Sequence, residues 1–142
     1  MKQKIGIIIG VMSLLCATSA FAGPKQAPEQ THEDHHEGFS ESVKAFHDVM
    51  SKDWHAKTGP ERMQSTCTNV HEYAQKAKAV VEASSPASVP ATEWQTATTA
   101  LVATVKVLEA TCEQNDTADF QANFSSVHDK FHDLVKLLEA SK

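Results

Sequence analysis

The chain has 142 residues, 41% of them hydrophobic, and a formal net charge of −5 at neutral pH. An acidic chain without basic clusters argues against nucleic acid and against anionic membrane surfaces as partners. Its length suits one domain once a leader is set aside.

That leader comes first. Lys2 and Lys4 make a positive start, residues 5–17 are apolar or small, and Ala20-Phe21-Ala22 has the small-x-small pattern of a secretory cleavage site. The apolar run is too short to span a bilayer comfortably, so residues 1–22 read as a signal peptide cleaved after Ala22. Cys16 raises a rival reading, an acylated lipoprotein cysteine, but the preceding Leu15 is larger than such a site favours. Cleavage removes two lysines and no acid, which leaves 120 residues at a charge of −7 in the periplasm, with no membrane contact. Residues 23–38 then form a linker with Pro24, Pro28 and no apolar period, expected to be disordered. Within it His32, His35 and His36 stand among Glu33, Asp34 and Glu37. The string suits either a metal-capturing arm or a solvated, mixed-charge tail.

Four helical segments fill residues 39–142. The first, residues 39–55, places Phe39, Val43, Phe46, Met50 and Trp54 on one side. Thr58-Gly59-Pro60 breaks it, with Pro60 suited to the first turn of the second helix, residues 60–83. There the stripe reads Met63, Cys67, Val70, Ala74, Ala77 and Val81. After the serine- and proline-rich loop 84–90, the third helix, residues 91–112, carries Trp94, Thr98, Leu101, Val105, Leu108 and Cys112, with Thr92 and Gln95 spaced as a capping pair. Residues 113–117 turn the chain again, and Asp116 or Thr117 can cap the last helix. That helix, residues 119–138, has the clearest pattern: Phe120, Phe124, Val127, Phe131, Leu134 and Leu138, alternately four and three apart. Four amphipathic helices with short connections predict an all-α, antiparallel up-down-up-down four-helix bundle.

Two cysteines survive cleavage, an even count in an oxidising compartment. Folding the second helix back on the third brings Cys67 opposite residues 108–112, so a Cys67–Cys112 disulfide is expected. Free core thiols or soft copper ligands are the alternatives. The Cys-x-x-Cys-His motif for covalent haem attachment is absent.

Functional expectations rest on histidine. With the stripes labelled as heptads, His47, His71 and His128 each follow an inward residue (Phe46, Val70, Val127) and take shoulder positions, where the third helix has Val102. Counting from the loops puts all three near one level, halfway along the bundle. Either His47 meets His71, or His47 meets His128 with His132 one turn below. Imidazoles on facing helices bind zinc, copper or nickel, and two histidines four apart can hold one ion. Met50, a turn from His47, offers a thioether that favours copper, or core filling. Taken singly, each histidine also fits a half-buried, water-bonded residue. The aromatic residues Phe46, Trp54 and Trp94 fall on the stripes and read as core.

An exported bundle of this size with histidine in its last helix resembles the soluble b-type cytochrome and cytochrome c-prime superfamily of periplasmic proteins. The resemblance implies haem held between a first-helix methionine, here Met50, and a last-helix histidine, here His128. Met50 lies near its helix's end and His128 in the first half of its own, a height unlike the family pair. No nucleophile–base arrangement, phosphate loop or internal carboxylate pair points to an enzyme. The leading expectation is therefore a periplasmic metal buffer, sensor or delivery module. A haem-binding electron carrier and a ligand-free structural or interaction bundle are the alternatives.

Overall fold

A computed structural model describes residues 39–141 of the chain. It comprises α1 (Glu41–Trp54), α2 (Pro60–Glu82), α3 (Ala91–Glu113) and α4 (Phe120–Ala140). Each boundary falls within two residues of its expected place. Consecutive helices pack side by side and α4 returns to α1, which makes the antiparallel four-helix bundle. The stretches expected to be a leader, residues 1–22, and a linker, residues 23–38 with His32, His35 and His36, lie outside the described residues.

On α4 the periodicity reads directly: all six stripe residues are buried. On α2 the core line runs instead through Thr66, Val70, Tyr73, Ala77 and Val80, while Val81 is 37% exposed and Met63, Cys67 and Ala74 flank the core. The helix is turned about its axis by a fraction of a turn from its expected setting. Val70 thereby changes from the second inward position of the heptad to the first, and the residue after it moves outward.

A buried acid explains the rotation. Asp53, 3% exposed at the end of α1, sits where the next inward side chain belongs. Its carboxylate accepts hydrogen bonds from Ser65 Oγ, from Asn69 Nδ2 at 3.1 Å and from the fully buried Tyr73 hydroxyl. A buried carboxylate is tolerated when donors surround it, and these three donors all come from the face of α2 turned toward α1. Burial, together with the bond to Asp53, pushes the Tyr73 phenol far above its ordinary range.

The same slight turn occurs at the end of α3, where Thr111 is buried in place of Cys112. A straight helix drifts relative to a seven-residue repeat, so a heptad count loses the core line near helix ends. Thr111 Oγ1 donates to Val107 O at 2.9 Å and accepts from Asn123 Nδ2 at 2.8 Å, which satisfies it inside the bundle. The Cys67–Cys112 disulfide forms as expected, with Cα atoms 5.2 Å apart. It ties α2 to α3 from the edge of the core, since both cysteines are only partly buried.

The caps differ from the sequence reading. α3 starts after Pro90, and Thr92 lies inside its first turn, where its carbonyl accepts the Thr96 hydroxyl. Asp116 does not begin α4, but its Oδ1 accepts the Ala118 and Asp119 amides and so shapes the turn that leads into it. At the α1–α2 connection Arg62 reaches back to the carbonyls of Trp54 (2.7 Å) and Ala56 (3.0 Å from Nε). A cation bonded to the last carbonyls of a helix complements its dipole and fixes its exit.

Candidate functional site

Of the two meetings expected, His47 with His71 or His47 with His128, the first pair lies on opposite seams of the bundle and the second along one seam. His71 follows Val70 outward with the rotation of α2, to a side chain 76% exposed. Its Nδ1 lies 2.7 Å from Glu109 Oε1 on α3, along the α2–α3 seam. His47 lies on the opposite seam, half-buried, stacked on Phe131 of α4 with ring centroids 5.4 Å apart. Met50 is 2% exposed within the hydrophobic core.

The α1–α4 seam gathers the rings. Phe46 packs on Phe131 at 5.6 Å, and Trp54 meets Phe124 edge-on at 5.4 Å. The closest contact is between Trp54 and His128, nearly parallel, with centroids 3.7 Å apart. Trp54 is thus partly a core residue and partly a plate under an imidazole, a role its stripe position did not reveal. Arg62 stands 5.7 Å from the same indole centroid.

His128 and His132, one turn apart on α4, bring their Nε2 atoms to 3.1 Å. One nitrogen must carry the hydrogen while the other presents its lone pair. Burial holds His128 below the ordinary imidazole pKa, and the neighbouring His132 lowers it further. Asp129, with Oδ1 3.7 Å from His128 Nδ1, pulls the other way. His55, at the exit of α1, adds to the lowering and so stands near the pair. The stripe reading places it as the last residue of the first helix without singling it out; in the structure it is the residue just past α1. Its sequence signal was adjacency to Trp54.

The pair has the chemistry of a two-nitrogen clamp. Two nitrogens each about 2.0–2.1 Å from one ion, at angles between square and tetrahedral, stand about 2.8–3.4 Å apart. The observed separation lies inside that interval. Burial favours the neutral form of the His128 imidazole, the form that ligates. Among the described residues, no group of three or more histidine, cysteine, aspartate or glutamate side chains is arranged to hold a metal ion.

Searches against protein-family models, curated proteins and solved structures found no match. The chemistry of this site therefore has to be argued from its own residues. Neither Met50 nor His128 lines the cavity at the α2 and α4 N-termini, nor the smaller ones along the α2–α3 and α3–α4 seams.

Proposed function

We propose that the chain is an exported binding protein for a divalent transition metal ion, acting as a buffer, sensor or delivery module. His128 and His132 are its first two ligands. The observation that carries this reading is the 3.1 Å approach of their Nε2 atoms. Trp54 supports it by fixing the His128 ring plane, and Asp129 by standing where it can orient Nδ1. Imidazole ligands favour copper, nickel or zinc over calcium or magnesium. His47, His71 and Met50 have no part in this version. His132 faces solvent, so the ion's remaining positions are open to His55 and to the His32, His35 and His36 arm. An ion held by few fixed ligands exchanges readily, which suits delivery better than storage.

The test is a calorimetric titration of the chain from Gly23 onward with copper, nickel and zinc. Trp54 emission is followed in parallel in a Trp94→Phe background. His128→Ala and His132→Ala should each weaken binding by about tenfold or more. Copper should quench Trp54, which lies against the ligand ring. Affinity should fall as pH drops below the imidazole range, because protons compete for the same nitrogens. Binding that disappears when His32, His35 and His36 become alanine, yet ignores His128→Ala, would defeat the helical site and leave only the arm.

A further inference from the structure

A second site is independent of the histidines. At the end of the bundle where α2 and α4 begin, a cavity of 720 Å³ opens between the α1–α2 and α3–α4 connections. Pockets that hold drug-sized ligands span roughly 300–1,000 Å³. Its floor is apolar: Met63, Pro60, the Cys67 end of the disulfide, and Phe120, whose ring continues into the core through Phe124 at 5.8 Å. Threonine hydroxyls and glutamine and asparagine amides supply the polar part of the lining. Of the eleven lining residues none carries an ionisable side chain, although 22% of the whole chain is charged.

The walls are held apart from several directions. The disulfide anchors α2 to α3 beside the floor. Arg62 pins the first connection through the Trp54 and Ala56 carbonyls, and Asp116 pins the second through two backbone amides. Two backbone positions in the lining, Gly59 (φ 143°) and Asn115 (φ 51°), are in the left-handed half of conformational space that these residue types tolerate. A concave site that cannot collapse loses little on binding, because its shape is set beforehand.

We propose that this cavity binds an uncharged, mainly apolar small molecule carrying one or two hydrogen-bonding groups. A charged ligand would leave its hydration for a lining without an ionised side chain, which is costly. A neutral one gains the apolar floor and meets amides and hydroxyls on the way in.

The experiment uses the chain from Gly23 onward and the neutral dye N-phenyl-1-naphthylamine, excited away from tryptophan. The proposal expects a saturable rise in emission at one dye per chain. Thr68→Trp and Gln64→Trp, exposed lining positions on α2, should fill the mouth and weaken binding by about tenfold or more. Gln75→Trp, exposed elsewhere on α2, should leave it unchanged. The anionic analogue 1-anilinonaphthalene-8-sulfonate should bind about tenfold more weakly. Amide shifts at Gly59, Thr68 and Gln121 in the unsubstituted chain report occupancy without any variant, so a misfolded variant does not decide the outcome. Absence of saturation, equal weakening by Gln75→Trp, or equal affinity for the anion would overturn the proposal. So would a dimer in sedimentation that the dye dissociates, since the groove would then belong to a second copy of the chain.

Discussion

The two seams on opposite sides of the bundle are built on different principles. Along α2–α3 the helices lie close, a covalent bond ties them, and the small Ala74 and Ala77 face Val102 and Val105 across a cavity. Along α1–α4 the backbones stay further apart than in the other neighbouring pairs, and rings fill the gap: Phe46, His47 and Trp54 against Phe124, His128 and Phe131. On the proposed reading, the ring seam is the one that holds a ligand, through His128 and His132 at its edge.

This contrast can be broken experimentally, beginning with the ring seam. Phe131→Ala removes the ring that both Phe46 and His47 pack against, and should cost about 3–5 kcal/mol in urea unfolding, with or without reductant. If the loss is below about 1 kcal/mol, the rings are not what holds α1 to α4. Next is the covalent seam. Replacing Cys67 and Cys112 together by alanine should cost about 3–4 kcal/mol, because the bond closes a loop across a separation of 45 residues. The same midpoint should be reached by reducing the native chain. A variant as stable as the native protein would mean that the small-residue packing alone suffices.

The Asp53 cluster, between α1 and α2, sharpens the comparison at its corner. Tyr73→Phe removes one donor from a buried carboxylate and should cost about 1.5–3 kcal/mol. Tyr73 is the chain's single tyrosine, so its titration can be followed directly at 295 nm. Its phenol pKa is raised on folding, so the stability it contributes is present below the ordinary tyrosine pKa and lost as pH rises above it. Tyrosinate absorbance should therefore appear only together with loss of helical circular dichroism. Absorbance rising near pH 10 in a folded chain would show the hydroxyl to be open to water.

The smallest effect separates the histidine contacts of the two seams. Folding lowers the His128 pKa, so the native state binds that proton less readily than the unfolded one. Stability is full above the unfolded value near 6.5 and declines as pH falls toward the folded value. His128→Gln should flatten this decline below about pH 6.5. His71→Ala, on the other seam, should change stability at neutral pH by less than about 1 kcal/mol, as exposed side-chain contacts do. Identical pH profiles for the native chain and His128→Gln would remove the argument that burial keeps His128 neutral.

Periodicity alone determined the four helices, their connections and the whole inward face of α4, because large apolar residues repeated without ambiguity from Phe120 to Leu138. Cysteine parity and the folding-back of α2 on α3 were enough for the Cys67–Cys112 pairing, since a hairpin of helices offers few partners at each height. The face that α2 turns inward was another matter. Its stripe of Met63, Cys67, Ala74 and Val81 looked as apolar as the true line through Thr66, Tyr73 and Val80, and the choice was made by Asp53 on a different helix. A buried carboxylate needs its donors, and Ser65, Asn69 and Tyr73 reach it only if α2 turns, which swings His71 out to Glu109. Nor could spacing reveal that Trp54 would lie flat on His128, because that contact depends on how far apart α1 and α4 stand. The i, i+4 relation of His128 and His132 is local, so the sequence already held it. Which other histidines come near is a matter of helix rotation, and that is decided by the packed interior as a whole.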